Sequence, residues 1–127
     1  MYSRYHHLGL ELLAFPCNQF GKQEPGTDEQ IKQFAAVHHY PGYLMHKIDV
    51  NGKDAIPVWT YLKEKGGGGA VKWNFEKFLV GRDGVPYKRY GSPFDMKEIA
   101  ADVDALVARP SRGGGGGGAA AVSVAKL

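Results

Sequence analysis

The stretch Leu10 to Phe15 is apolar except for Glu11 and stops at Pro16. A run this short and this continuous reads as a strand buried on both faces, and such strands belong to sheets covered by helices on either side. The flanking chain supplies the helices. Thr27 offers an N-cap to one over Asp28 to Val37, with acids in its first turn and Ile31, Phe34 and Ala35 on its apolar face. Pro57 fits only near the start of the next, about Ile56 to Lys65, which ends at the glycines Gly66 to Gly69, read as a flexible loop. Asp95 and Glu98 suggest a capping box for a last helix with Met96, Ile99, Ala100, Val103, Leu106 and Val107 on one face.

Between these helices, Met45 to Val50 reads as a second strand closed by Asn51-Gly52. Phe78 to Val80 and Val85 to Tyr90, joined by Arg82-Asp83-Gly84, read as a hairpin. The order is strand, helix, strand, helix, hairpin, helix, which is mixed α/β. At 127 residues, 43% of them apolar, the chain can bury one modest core, and residues 1–109 read as one domain. No run approaches eighteen apolar residues, so the sequence holds no candidate for a membrane-spanning helix. Beyond Arg109 come Pro110-Ser111-Arg112, six glycines from Gly113 to Gly118, and a run of alanines and valines. That composition predicts a mobile tail over residues 110–127.

The net charge of +3 is unevenly spread: Lys63, Lys65, Lys72, Lys77, Arg82, Lys88 and Arg89 face only Glu64, Glu76 and Asp83. A solvated face or a patch steering an anionic thiol or peroxide both fit. Nucleic-acid binding lacks its accompanying aromatic-basic motif. Cys17 is the single cysteine, so no disulfide forms within the chain. The histidines His6-His7, His38-His39 and His46 lack metal-ligand spacing and read as solvated, so no metal site is expected.

Two short segments carry the chemistry. Phe15 to Glu24 reads Phe-Pro-Cys-Asn-Gln-Phe-Gly-Lys-Gln-Glu, and Trp73 to Val80 reads Trp-Asn-Phe-Glu-Lys-Phe-Leu-Val. Taken singly, Gln19 is an exposed loop amide, Asn74 a turn-capping residue and Trp73 a core residue. Taken in order, the two segments resemble the glutathione peroxidase family, over a span from about Leu8 to Leu106. That resemblance implies a thioredoxin-like fold, a mixed sheet flanked by helices. It also implies a cysteine or selenocysteine, a glutamine, a tryptophan and an asparagine gathered around a peroxide, the last three matching Gln19, Trp73 and Asn74. All three offer neutral N–H donors that stabilise a thiolate and orient a peroxide without forming an ion pair.

In the family the peroxidatic residue lies a few tens of residues before the first motif, and it has no match here. Cys17 matches an accessory position and reads as a small, partly buried hydrophobe. The expected fold therefore lacks its first strand-helix unit, with Tyr2 to Leu8 as the end of that helix and Gly9 its stop. The strand at Leu10 to Phe15 would then present a raw apolar edge and drive self-association. The implied reaction is reduction of hydrogen peroxide or organic hydroperoxides under oxidative stress, with glutathione or a thioredoxin-type protein as reductant and no bound cofactor. No resolving cysteine stands in Phe34 to His39. The chain alone is expected to be inactive; the alternatives are a non-catalytic thioredoxin-like binding or regulatory module, or a non-functional fragment. Finally, Ala125-Lys126-Leu127 resembles the Ser-Lys-Leu address read by the peroxisomal import receptor, which predicts a peroxisomal or related location, and otherwise a cytoplasmic one.

Overall fold

The computed structural model of the chain describes residues 2–91, 93–109 and 120–125. It begins with a single helical turn, α1 (Tyr2–Tyr5), continued by a 3₁₀ turn over His6–Leu8 and closed by Gly9 at φ 103°. Only a residue without a Cβ adopts that angle freely, so the stop expected at Gly9 is a stop for steric reasons. Strand β1 (Glu11–Pro16) follows, then α2 (Asp28–Val37). The Thr27 hydroxyl accepts from the Gln30 N–H and the Gln30 side chain accepts from the Thr27 N–H, a reciprocal cap that fixes where α2 starts. Helix α3 (Pro57–Gly66) carries its proline in the first turn, where the missing N–H costs nothing.

β2 is shorter and earlier than expected, Tyr43–Leu44. Met45 to Val50 instead runs as an extended loop whose Met45 and Ile48 amides donate to Ala14 and Pro16 at 2.9 Å, following the end of β1 without forming a ladder. β3 (Lys77–Val80) and β4 (Pro86–Tyr90) form the expected hairpin, with a register shift at Leu79/Val80. Helix α4 (Met96–Val107) is capped by Asp95, which accepts from the Lys97 N–H. The capping box with Glu98 is not formed, because the Glu98 carboxylate pairs with Lys88 at 2.5 Å.

The largest departure is at the C-terminus. Ala120–Ala125 forms β5, and the sheet order is β2-β1-β5-β3-β4. β5 is parallel to β1 from Glu11↔Ala120 to Pro16↔Ala125 and antiparallel to β3 from Val80↔Ala120 to Lys77↔Ser123. The mobile tail and the raw edge expected from the sequence are therefore replaced, over these six residues, by a central strand. Two open edges with unpaired N–H and C=O groups are the physical reason: a strand entering between them satisfies both. The rest of residues 110–127 lies outside the described residues.

The core lies on both faces of this sheet. On one, Phe15, Cys17, Phe20, Val50, Trp59, Leu62, Val71 and Phe78 cluster beneath α3. On the other, Tyr5, Leu10, Leu79 and Tyr90 meet Ile99, Val103 and Leu106 of α4. Phe34 and Met96, expected on apolar faces, are 46% and 45% exposed; Phe34 rests on the His38 ring, 4.2 Å between centroids. Among the described residues no helix is long and apolar enough to cross a membrane.

Candidate functional site

The loop after β1 and the loop before β3 emerge at the same end of the sheet, and three links tie them. Phe20 and Trp73 meet edge to face, 6.0 Å between centroids. Asn74 Nδ2 donates to Gln23 Oε1 at 3.0 Å. Gln19 reaches the second loop through Asn51: its Oε1 accepts from the Val50 and Asn51 amides at 2.8 and 3.1 Å, and its Nε2 donates to the Asn51 carbonyl at 2.9 Å. The Asn51 side chain in turn holds both the N–H and the C=O of Val71. No direct hydrogen bond or ring contact joins Gln19 to Trp73 or Asn74 among the described residues.

These contacts change the reading of each residue. Gln19 is a clasp between two loops, not a free surface amide. Trp73 is 44% exposed, so it is not a core residue, and its indole N–H meets no partner among the described residues. Asn74 is 1% exposed, and its Oδ1 is buried without a hydrogen-bond partner. Such an orphan acceptor costs on the order of 1–3 kcal/mol and calls for a donor. Each of the two amide nitrogens, in Gln19 and Asn74, spends one N–H on the contact named and keeps a second.

The backbone here is under strain. Phe75 sits at φ 67°, rare for an aromatic residue, and Lys77 Nζ donates to its carbonyl at 2.6 Å. Gly21 sits at φ 62°, and a Cβ there would come within 3.0 Å of Trp73 Cη2. The glycine of the first motif thus lets the indole of the second lie against it.

Several of the basic residues are tied into the fold and do not form a solvated face, one of the two readings open from the sequence. Arg89 and Glu76 are a buried ion pair, 11% and 6% exposed at their side chains. The same guanidinium donates to the carbonyls of Gly67, Gly69 and Ala70, so the glycine loop expected to be flexible is held in place. Glu76 also accepts from the Lys72 amide, which anchors the turn carrying Trp73. Lys63 donates to the Val50 carbonyl at 2.5 Å, Lys88 pairs with Glu98 and Asp102, and Arg82 donates to the Leu8, Val107 and Arg109 carbonyls. A cleft of about 700 Å³ opens beside Trp73, between the glycine loop and β4, with Lys72 at its wall. The Lys72 ammonium meets no partner among the described residues.

Cys17 is 1% exposed, and its thiol donates to Gln19 Oε1 at 3.4 Å. Burial pushes its pKa up, against a smaller opposing effect of the Gln19 and Val50 backbone amides. A buried thiol held in the neutral form is a poor nucleophile. Among the described residues no group of three or more His, Cys, Asp or Glu side chains is arranged to hold a metal ion. His46 instead pairs with Asp28 at 2.8 Å. Sequence reasoning missed Gln23, Asn51, Glu76 and Arg89, whose roles come from partners far along the chain.

A family model described as glutathione peroxidase matches residues 1–63. A probable phospholipid hydroperoxide glutathione peroxidase of Mesembryanthemum crystallinum is 49% identical over 111 residues, covering 84% of this chain and 65% of that protein. The phospholipid hydroperoxide glutathione peroxidase of Callithrix jacchus is 49% identical over 108 residues, covering 81% of this chain and 55% of that protein. Among solved structures, the crystal structure of Trgpx in apo form matches with a TM-score of 0.62 at 38% identity, over 79% of this chain and 59% of that one. The chain thus spans less than two thirds of the length of these relatives.

Proposed function

Given that this chain belongs to the glutathione peroxidase family and carries a thioredoxin-like fold, we propose that it supplies the hydrogen-bonding half of a thiol peroxidase site, with Gln19, Trp73 and Asn74 as the donors. In the reaction a thiolate attacks one peroxide oxygen, the O–O bond breaks, and the leaving alkoxide or hydroxide takes a proton. The resulting sulfenic acid condenses with one reducing thiol, and a second releases the disulfide, so ROOH and two thiols give ROH, water and a disulfide. The observation that carries this reading is the exposed indole of Trp73, its N–H unpartnered among the described residues, held against the first motif by Phe20.

The attacking sulfur is not Cys17, whose burial holds it neutral. In this proposal the nucleophile comes from outside these 127 residues, and the chain by itself does not turn over. The physiological substrate is a hydroperoxide, and the reductant is glutathione or a thioredoxin-type protein. The unpartnered Lys72 at the cleft beside Trp73 favours an anionic thiol arriving there. A peroxisomal address at Ala125, Lys126 and Leu127 belongs to the same proposal, supported by the likeness of these residues to the Ser-Lys-Leu signal.

The test joins the chain to an upstream strand bearing a Cys-Gly or selenocysteine-Gly turn and measures single-turnover reaction with peroxide. Gln19→Ala, Trp73→Phe and Asn74→Ala should each slow it, by on the order of 10- to 1,000-fold for a lost donor. Unchanged rates in all three would make these residues structural only. A non-catalytic thioredoxin-like module is the second reading, favoured by the burial of the one thiol.

A further inference from the structure

The geometry points to a strand-acceptor slot between β1 and β3, and we propose that it binds an extended peptide by backbone pairing on both edges. Its resident occupant is the chain's own Ala120–Ala125. The slot's walls are gripped without help from the occupant. On one face the Trp59 indole of α3 bridges them, edge to face with Phe15 of β1 at 5.7 Å and with Phe78 of β3 at 5.8 Å. On the other, Leu10 at the foot of β1 and Leu79 of β3 share a buried cluster with Ile99, Val103 and Leu106 of α4. Beyond the strand ends, the Gln23 to Asn74 hydrogen bond and the Phe20 to Trp73 contact tie the same two halves again.

Two walls fixed one strand apart, about 10 Å between their axes, leave a gap that side chains from the helices do not fill and that exposes two rows of backbone donors and acceptors. An extended segment satisfies both rows, and little else does. β5 pairs at six positions along β1 and four along β3. It is the last element of the chain, separated from Arg109 by ten residues of which six are glycine. Of the three inner strands of the sheet it alone reaches its place across such a segment, whereas β1 and β3 continue directly into the loops that carry the site. A tethered occupant enjoys an effective concentration on the order of millimolar, which suffices to keep the slot filled while leaving the strand exchangeable.

The experiment uses the full chain with Val122→Pro and Ser123→Pro. Successive residues of a strand direct their N–H groups to opposite neighbours, so this pair removes a donor from each ladder. A fluorescent peptide of Ala119 to Leu127 should bind the double-proline chain saturably and about tenfold or more tighter than the unaltered chain, whose slot is occupied. The same peptide carrying the two prolines should not bind. No saturable binding, or equal binding to both chains, overturns the proposal. A second measurement avoids dependence on that variant's folding. With Val80→Cys and Ala120→Cys, which face each other across the β3–β5 ladder, a disulfide locks the strand in. Amide exchange at Leu13 and Phe78 should slow at least tenfold on oxidation, because opening of the slot has been blocked. Identical exchange in the locked and reduced forms would show that β5 is not the part that leaves.

Discussion

Asn74 Nδ2 donates to Gln23 Oε1 across 3.0 Å and fifty-one residues of sequence, one of the three links that set the second motif against the first. Gln23→Ala would leave the enclosed Asn74 amide without its partner on either polar atom. The expected loss of stability is about 1–3 kcal/mol, read as a lower denaturant midpoint at unchanged slope. An unshifted midpoint would mean that the amide finds another partner.

Arg89 and Glu76 form a largely buried ion pair, and Arg89 also holds three carbonyls of the glycine loop. Arg89→Ala leaves Glu76 charged, buried and unpaired. Removing one partner of such a pair costs about 3–5 kcal/mol. Arg89→Ala with Glu76→Ala should cost less than the two single substitutions summed, and a thermal melt of all three variants checks this. Strict additivity would show that the two side chains act separately.

Lys77 titrates early: burial lowers its pKa from 10.5 to about 8, although its ammonium lies 3.5 Å from the Phe94 ring centroid. Between those values the unfolded chain binds a proton that the folded chain has released, so stability rises with pH through that window. Below it both states are protonated and the dependence vanishes. The stability of the unaltered chain relative to Lys77→Met should therefore increase between about pH 8 and pH 10 in denaturant titrations. A flat difference would place the amine in water.

The proposed C-terminal address is testable apart from the fold. A fluorescent protein fused ahead of Gly113 to Leu127 should collect in punctate organelles, and the same fusion lacking Leu127 should be diffuse. Within the full chain, Ala125 is paired with Pro16. Import of the full chain should accordingly improve when Val122→Pro and Ser123→Pro release β5. A diffuse Gly113 to Leu127 fusion would dispose of the signal.

Local patterns made much of the fold legible. Thr27, Pro57 and Gly9 fix helix boundaries through caps and steric limits that act within a few residues, and the structure places those boundaries at or within a residue of expectation. The misses are non-local. Met45 to Val50 reads as a strand, yet it follows the end of β1 with no ladder of its own, its Val50 at 0% exposure and its Met45 at 37%. Ala120–Ala125 looked like the end of a mobile tail because nothing local reveals a vacant strand position elsewhere in the sheet. The two motifs announced Gln19, Trp73 and Asn74, but the residues that hold them, Gln23, Asn51 and Arg89, are ordinary surface types whose meaning depends on partners twenty to fifty residues away.

We propose that this chain holds peroxide-directed donors without a competent nucleophile. Steady-state consumption of hydrogen peroxide and of an organic hydroperoxide, with glutathione or thioredoxin as reductant, tests it most directly. The expected rate is indistinguishable from that of reductant alone and is unchanged by Cys17→Ser. Robust turnover that Cys17→Ser abolishes would contradict it, because the buried thiol would then be the attacking group.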